Sequence, residues 1–560
     1  MRGNKLRTLT LAVIAGLVGL TACQDLDVEN PNAPDRSRAL ATAGDVESLI
    51  GGAYLNYFNT SQGWQPGPAL SVASDEHTSS WGNFGMKQFG NEPRLAIDNN
   101  PSWSYAYVLE DTWYFSYGAI SAASDGLGAI EGGLQIGEGG EDTPRARAFA
   151  RFMQGIGHGV LAATYDQAFV YDETVDLSAE NPVELQPYGA VMDAALGYLD
   201  QAATIAENNS FTTPPGWIQG RELSSDQFAA MVHSYMARFM ASTPRGPGES
   251  VDWAGVVSHV EQGIQDDFYV QGTGWTGDWW SPFKSYGGWF PIWGRTDLRV
   301  LGKADTTGAY QSWEQTPAEQ RQPFVIETAD KRITGHEANP NVEGEPSTGP
   351  TSQGKYFTYY SYIPFVPGRG TYHFSNYGNI QYGHPSNPNQ IVEITTEEMD
   401  LLKAEAMIAM GNPDSAAALI NKTRVANGEL PAVTANGVPQ SPECVPQDIN
   451  GNCGSLMEAL QYEKRLETWH VSAGVQFYDL RRWDKLVDGT PLHFPIPGAE
   501  LQVLQQDIYT YGGGGSGSAG ADASIFVDGD VELSDRIDAA LQALRAQQER
   551  LSRDRPSMKR

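Results

Sequence analysis

The sequence has few of the side chains that usually build catalytic or metal centres. Its 560 residues include 3 Cys and 9 His, and the His residues form no cluster with metal-ligand spacing. The metalloprotease pattern HExxH, the redox pattern CxxC and the hydrolase pattern GxSxG are all missing. We therefore predict no catalytic residue, no metal site and no cofactor.

Positive charge is also scarce. The chain has 37 Lys and Arg against 68 Asp and Glu, a net charge of −31. Binding to phosphates needs a basic face that releases counterions, so nucleic acid is excluded as the expected partner. The acidity instead predicts a solvated, self-repelling surface. With 40% hydrophobic and 11% aromatic residues, the chain can still form a sizeable core.

The N-terminal apolar run is too short for a comfortable membrane span. It follows Arg2, Lys5 and Arg7, as the apolar region of a signal peptide does, and it ends in Leu-Thr-Ala-Cys at position 23. This ending resembles the lipobox of bacterial lipoproteins. The resemblance implies a signal peptide over residues 1–22 and a diacylglycerol group on Cys23. A plain signal peptide with an incidental Cys is the alternative.

Two further cysteines, Cys444 and Cys453, enclose the turn-forming sequence VPQDINGN. An exported protein with an even number of remaining thiols is expected to pair them, so we predict a disulfide. A calcium loop is the alternative, because Asp448, Asn450 and Asn452 alternate. Its glycine is misplaced and a closing Glu is missing.

Helical patterns dominate the chain after a polar tether over residues 23–40. Apolar residues recur at helical spacing after the capping sequences at Thr42, Ser224 and Thr395. From Thr395 to Val425 two helices separated by a Gly-Asn-Pro turn match the tetratricopeptide period. Such pairs bury a core by stacking, so we predict a mainly α domain over residues 41–510, folded as a tetratricopeptide-like superhelix.

The residue composition of the sequence changes in three places. A loop-rich insertion with short strands is predicted at about 271–394, where Gly, Pro and aromatic residues are dense. Residues 511–533 contain GGGGSGSAG and are predicted to be a flexible linker. Residues 534–560 have an apolar stripe at helical spacing and are predicted to form an amphipathic helix.

Aromatic residues crowd the start of the insertion in GWTGDWWSPFKSYGGWFPIWGR. Gly and Pro are too frequent there for a regular helix, so loops must present the rings. A Trp or Tyr ring gives a flat platform for the C–H face of a sugar, and Asp278 and Arg295 are close enough in sequence to bind hydroxyls. Candidate ligand-binding residues are Trp279, Trp280, Tyr286, Trp289 and Trp293, with Trp81 from a second aromatic loop, SSWGNFGMKQF (Ser79–Phe89). Core packing is the alternative.

Several segments together resemble the SusD/RagB family. These are CQDLDVENPN after the lipobox, TPRARAFARFMQGIGHGVLAATYDQA, DLLKAEAMIAMGNPDSAAALINKTRVANG, YEKRLETWHVSAGVQFYDLRRW and HFPIP. Residues 473–476 (AGVQ) depart from the family's usual Glu-Gly-x-Arg. The resemblance implies a SusD-like superhelix, an anchor in the outer membrane facing outward, a SusC-like TonB-dependent transporter as partner, and a glycan or peptide ligand.

Other functions stay open. A peptide receptor or helical-repeat adaptor would use the same scaffold, and a secreted glycoside hydrolase would need two carboxylates across a cleft. The sequence offers no such pair. Asp75-Glu76-His77 suggests a metal or acid–base group, but a turn in a polar loop explains it equally well. Glu463, Arg465 and Glu467 are interpreted as surface or packing ion pairs.

Overall fold

The computed structural model describes residues 40–513, apart from 41, 80–81, 177–182, 276, 286–293, 336–352, 361–374 and 382–389. The predicted signal peptide, Cys23 and the C-terminal helix lie outside the described residues, as do nearly all of the tether and of the Gly-rich linker. Within the described part, no helix combines the length and apolarity needed to cross a membrane.

Sixteen α-helices make up almost half of the described chain. They are α1 Ala43–Ser61, α2 Gly67–Ala73, α3 Met86–Phe89, α4 Tyr107–Glu131, α5 Thr143–Thr164, α6 Tyr188–Glu207, α7 Ser225–Ser242, α8 Trp253–Glu261, α9 Pro282–Lys284, α10 Leu298–Leu301, α11 Ala309–Gln315, α12 Thr396–Ala409, α13 Pro413–Ala426, α14 Leu456–Glu467, α15 Val475–Arg482 and α16 Gly498–Val503.

The long helices stack on one another in a continuous series. Helix α1 packs on α4, α4 on α5, α5 on α6, α6 on α7, and α7 on α8. The series continues from α8 to α12, which packs on both α13 and α14. Each helix therefore buries its apolar face against neighbours on two sides, as repeat architectures do. The predicted mainly α fold, a tetratricopeptide-like superhelix, is confirmed.

Side-chain caps define where several helices begin. The hydroxyl of Thr42 accepts a hydrogen bond from the first turn of α1. Ser224 and Gln227 form a reciprocal capping box at α7, with bonds of 3.3 and 3.0 Å. Thr395 accepts from the backbone N–H of Glu398 at 3.0 Å. Such caps satisfy amides that the helix itself leaves unpaired, and the capping patterns predicted these three starts.

Helix α5 lies at the centre of the stack because its glycines let two other helices approach closely. A Cβ at Gly155 would lie 2.6 Å from Cγ of Leu199 on α6. A Cβ at Gly159 would lie 2.5 Å from Cε2 of Phe239 on α7. Neither space admits a larger residue without displacing a packed side chain.

Eight short strands accompany the helices in the described ranges. They are β1 His77–Ser79, β2 Gln167–Phe169, β3 Leu185–Pro187, β4 Phe268–Gln271, β5 Gly294–Thr296, β6 Phe357–Tyr359, β7 Tyr377–Asn379 and β8 Gln390–Ile394. Strands β1, β5, β7 and β6 form one antiparallel sheet in that order, while β2 pairs with β3 and β4 with β8. The first sheet attaches the insertion to the segment that follows α2.

A buried ionic network ties the insertion to α14. Arg332 lies 2.7 Å from Asp330, 2.6 Å from Glu463 and 2.8 Å from Glu467, all measured between side-chain N and O atoms. Arg332, Asp330 and Glu463 are fully buried. The carboxylates of α14 are therefore packing ion pairs that place the insertion. Removing one member leaves the others buried and charged, at a cost of several kcal/mol.

Cys444 and Cys453 form a disulfide with 5.6 Å between their Cα atoms. Inside that loop the carboxylate of Asp448 accepts hydrogen bonds from the backbone N–H groups of Asn450 and Asn452, each at 2.8 Å. These bonds close the turn.

The last described residues belong to the domain. Ile97 donates its N–H to the carbonyl of Tyr511 at 3.0 Å, and Gly513 donates to the carbonyl of Gly489 at 2.8 Å.

Candidate ligand-binding site

Four aromatic side chains from three segments form a continuous cluster, called here the aromatic cluster: Trp64, Phe84, Trp275 and Trp280. Trp64 stacks on Phe84, with ring centroids 4.5 Å apart and 22° between their planes. Trp280 meets Trp64 edge-on at 5.5 Å and stacks on Trp275 at 5.4 Å and 18°. Offset stacking and edge contacts are the favourable geometries for aromatic pairs, so each ring holds its neighbour in a defined orientation.

Exposure differs along the aromatic cluster. Trp64, Phe84 and Trp280 are half-buried, whereas Trp275 is 39% exposed and ranks among the exposed large apolar side chains of the described chain. The packed rings therefore support the accessible ring of Trp275. A platform whose supporting rings are already packed loses little side-chain entropy when a ligand covers it.

Trp279 has a different role from its neighbour Trp280. Its ring lies 6.2 Å from Tyr54 and 5.1 Å from Phe58, both on α1, and it packs against the main core. Of these two adjacent predicted residues, only Trp280 joins the aromatic cluster. The core-packing alternative therefore describes Trp279.

Hydrogen bonds fix the loop that carries Trp275. Thr273 donates its N–H to the carbonyl of Trp279 at 3.0 Å, and Gly277 donates to Gly274 at 3.1 Å. The indole N–H of Trp280 donates to the hydroxyl of Ser285 at 2.9 Å. A loop closed by such bonds presents its rings in one arrangement, which is how binding residues are placed on rigid scaffolds.

The short helix α9 then attaches this loop to the scaffold. Ser281 donates to the side-chain oxygen of Gln62 at 2.8 Å, and Lys284 donates to the carbonyls of His470 and Val471 at 2.6 and 2.8 Å. Burial lowers the pKa of Lys284 to about 7. The aromatic loop is thereby joined both to the end of α1 and to the segment after α14.

The Asp75-Glu76-His77 triplet lies in the interior rather than in a polar loop. Burial raises the pKa of Glu76 to about 7 and lowers that of His77 to about 3. Glu76 accepts the backbone N–H of His470 at 2.7 Å, and Nδ1 of His77 lies 3.2 Å from Nε2 of the same residue. In the described part of the chain no group of three or more potential ligands could hold a metal ion. We interpret the triplet as a structural connection between α2 and residues 469–471.

The two polar residues suggested by the sequence occupy different environments. Asp278 is exposed in the loop beside Trp279, whereas Arg295 is fully buried in β5, opposite Thr78 of β1. Burial lowers the pKa of Arg295 to about 9. Asp278 can reach a ligand from solvent, and Arg295 is part of the sheet.

Sequence reasoning found part of this cluster. Trp280 was a candidate, and Phe84 and Trp275 lay in the aromatic segments that were singled out, but Trp64 was missed. The available signal was its position after Gly63 at the end of α1, two residues before Pro66, because helix-terminating loops present side chains. Four candidates lie outside the described residues: Trp81, Tyr286, Trp289 and Trp293.

Comparison with known proteins relates the chain by structure only. No family model matches the sequence, and no curated protein matches it. A SusD-like protein from Bacteroides fragilis NCTC 9343 is 14% identical, with a TM-score of 0.52 over 80% of this chain and 87% of that one. A SusD homolog from Parabacteroides distasonis ATCC 8503 is 14% identical, with a TM-score of 0.50 over 79% and 84%. The chain therefore has the SusD-like fold that its sequence motifs predicted.

Proposed function

We propose that this protein is a nutrient-binding lipoprotein of the outer membrane, which captures an oligosaccharide or similar cargo at the aromatic cluster. The observation that carries the proposal is the Trp275–Trp280 stack, in which an exposed ring is supported by a half-buried one. Such a surface suits a ligand with a flat apolar face. A pyranose ring has that face, together with a rim of hydroxyls.

The surroundings of the aromatic cluster also suit a sugar. Asp278 and Thr273 are exposed on the same loop as Trp275, and their oxygens can bind hydroxyl groups. Stacking supplies affinity for many sugars, while polar groups select among them. The sequence offers Trp81, Tyr286, Trp289 and Trp293 as further candidate ring platforms.

The anchor is proposed from the sequence. A diacylglycerol group on Cys23 would attach the protein to the outer membrane, because acyl chains contribute about 0.8 kcal/mol for each buried CH₂. The polar residues that follow Cys23 would act as a tether and allow the domain to face outward.

Delivery of the bound cargo to a transporter is the second part of the proposed function. We propose that captured cargo passes to a SusC-like TonB-dependent transporter, with no chemical change to the cargo. The SusD-like fold supports this role, and the sequence provides no pair of catalytic carboxylates.

A binding panel tests the cargo class. Purified mature protein would be titrated by calorimetry with a panel of oligosaccharides and, separately, with a peptide pool. Binding to one or more oligosaccharides supports the proposal. Binding confined to peptides would show that the protein is a peptide receptor instead, and turnover of an oligosaccharide would identify a hydrolase.

A further inference from the structure

A histidine pair distant in sequence from the aromatic cluster joins three scaffold helices. Nδ1 of His233 on α7 lies 3.0 Å from Nδ1 of His259 on α8. Nε2 of His233 lies 3.1 Å from Oε1 of Glu207, the last residue of α6. His233 is buried, His259 is half-buried, and the side chain of Glu207 is 50% exposed. The group is therefore accessible from solvent at one side.

The carboxylate of Glu207 determines which nitrogen of His233 carries a proton. A carboxylate accepts, so Nε2 of His233 is the donor and its Nδ1 presents a lone pair toward His259. A histidine whose far nitrogen donates to a carboxylate, with the near nitrogen free to coordinate, is the usual arrangement of a metal-binding imidazole. The contact fixes the ring and increases the basicity of Nδ1.

The spacing between the two rings fits one shared ion. Metal–nitrogen bonds of about 2.0–2.1 Å place two adjacent ligands roughly 2.9 Å apart at a right angle and about 3.3 Å apart in a tetrahedron. The observed 3.0 Å lies within that interval. The ring centroids are 5.1 Å apart, so the two Nδ1 atoms are the facing atoms of the pair.

We propose that His233 and His259 bind one divalent transition-metal ion, of the Cu²⁺, Ni²⁺ or Zn²⁺ class, through their Nδ1 atoms. The rest of the coordination sphere is water, because no set of three or more ligating side chains is assembled among the described residues. Imidazole nitrogens favour these ions over Ca²⁺ or Mg²⁺.

Binding requires a change of tautomer and a rotation of the rings that turns both Nδ1 lone pairs toward one point. Without metal, the proton between the rings resides on Nδ1 of His259, which donates to His233. With metal, His259 carries its proton on Nε2 instead, and both Nδ1 lone pairs coordinate the ion. No proton is released overall, and nothing is oxidised or reduced.

Calorimetric titration of the mature, tag-free protein with CuCl₂ and with ZnCl₂ at pH 7.5 tests this site. We expect a stoichiometric site in the wild type that weakens at least 100-fold in His259→Asn. Glu207→Gln should weaken it by roughly 10- to 100-fold, as loss of an outer carboxylate does. Glu261→Gln is the matched control, because Glu261 lies on α8 but pairs with Lys403 at 2.7 Å, and it should leave binding unchanged.

Electron paramagnetic resonance of the Cu²⁺ complex gives an independent readout. Hyperfine coupling to two imidazole nitrogens is expected in the wild type, and coupling to one or none in His259→Asn. Equal affinity of His259→Asn and the wild type for both ions would overturn the proposal, and so would a spectrum that His259→Asn leaves unaltered. In either case the pair would be only a hydrogen bond between helices.

Discussion

The rings of Trp275 and Trp280 lie stacked, 5.4 Å apart and inclined by 18°. Trp280 in turn contacts Trp64 edge-on at 5.5 Å, so the exposed ring is linked through packed neighbours to the loop after α1. A ring stacked on such a series is presented rigidly. This relationship underlies the proposed function, because an apolar platform that is already ordered binds with a smaller entropic cost.

Replacement of Cys23 tests the anchor. The Cys23→Ser variant should incorporate no labelled palmitate and should leave the membrane fraction, because the acylated thiol is the proposed attachment. Cys444→Ser is the matched control, since it removes a cysteine inside the domain and should retain both label and anchor. Labelling of Cys23→Ser at the wild-type level would contradict the prediction.

Replacement of Arg332 tests the buried ionic network. Arg332→Met should lower the free energy of unfolding by about 3–5 kcal/mol, because it leaves Asp330 and Glu463 buried without their cation. Lys355→Met, which breaks an exposed pair with Glu429, should cost less than about 1 kcal/mol. Urea unfolding followed by circular dichroism measures both changes. Equal effects of the two substitutions would show that burial does not govern these pairs.

Removal of the disulfide should cost less than the loss of Arg332. The double variant Cys444→Ser/Cys453→Ser should lose about 2–3 kcal/mol of stability or less, because the bridge closes a short loop. In the lipidated wild type, thiol titration under denaturing conditions should detect no free cysteine before reduction and two afterwards. Two free thiols before reduction would contradict the pairing.

Glu76 should make stability depend on pH. Burial raises the pKa of its carboxyl from 4.5 to about 7, outweighing the hydrogen bonds from His470 and Ser71 and the charges of Arg465 and Lys284. The folded state thus holds the proton more tightly than the unfolded state. This contribution is present at pH values below about 4.5 and is lost as the pH rises through about 7.

Glu76→Gln removes that dependence. Relative to wild type, the variant should gain stability as pH rises from 4.5 to about 7, approaching about 3 kcal/mol. Urea midpoints at pH 5 and pH 8 measure the difference. The prediction would be contradicted if the wild type, rather than Glu76→Gln, became the relatively more stable protein as the pH rises. Glu458→Gln is the control. Glu458 belongs to the exposed capping box that Ser455 forms at the start of α14, and its replacement is not expected to produce this gain of stability with pH.

The sequence predicted the helical part of the fold because its signals are local. Caps at Thr42, Ser224 and Thr395 specify helix starts through contacts three residues away, and apolar spacing specifies the buried faces. The burial of Arg295 and of the Asp75-Glu76-His77 triplet was not predictable in this way. The burial of Arg295 arises from pairing between β5 and β1, and Glu76 and His77 contact His470. In each case the partners are more than two hundred residues apart in the chain.

The sequence predicts an aromatic site in this region but not which rings form it. Adjacent residues of a loop point in different directions, so Trp279 reaches the core while Trp280 joins the aromatic cluster. Trp64 contributes from a segment more than two hundred residues earlier, and only the tertiary structure brings it to Trp280. No short-range pattern carries that information.

Titration of Trp275 variants with an oligosaccharide selected from the panel tests the central claim most directly. We expect Trp275→Ala to bind at least tenfold more weakly, a loss of about 1.4 kcal/mol, and Trp275→Phe to retain an intermediate affinity because it keeps a ring. Trp253→Ala, a half-buried Trp on α8 outside the aromatic cluster, should bind like the wild type. Wild-type affinity in a folded Trp275→Ala protein would contradict the assignment of the aromatic cluster as the ligand platform.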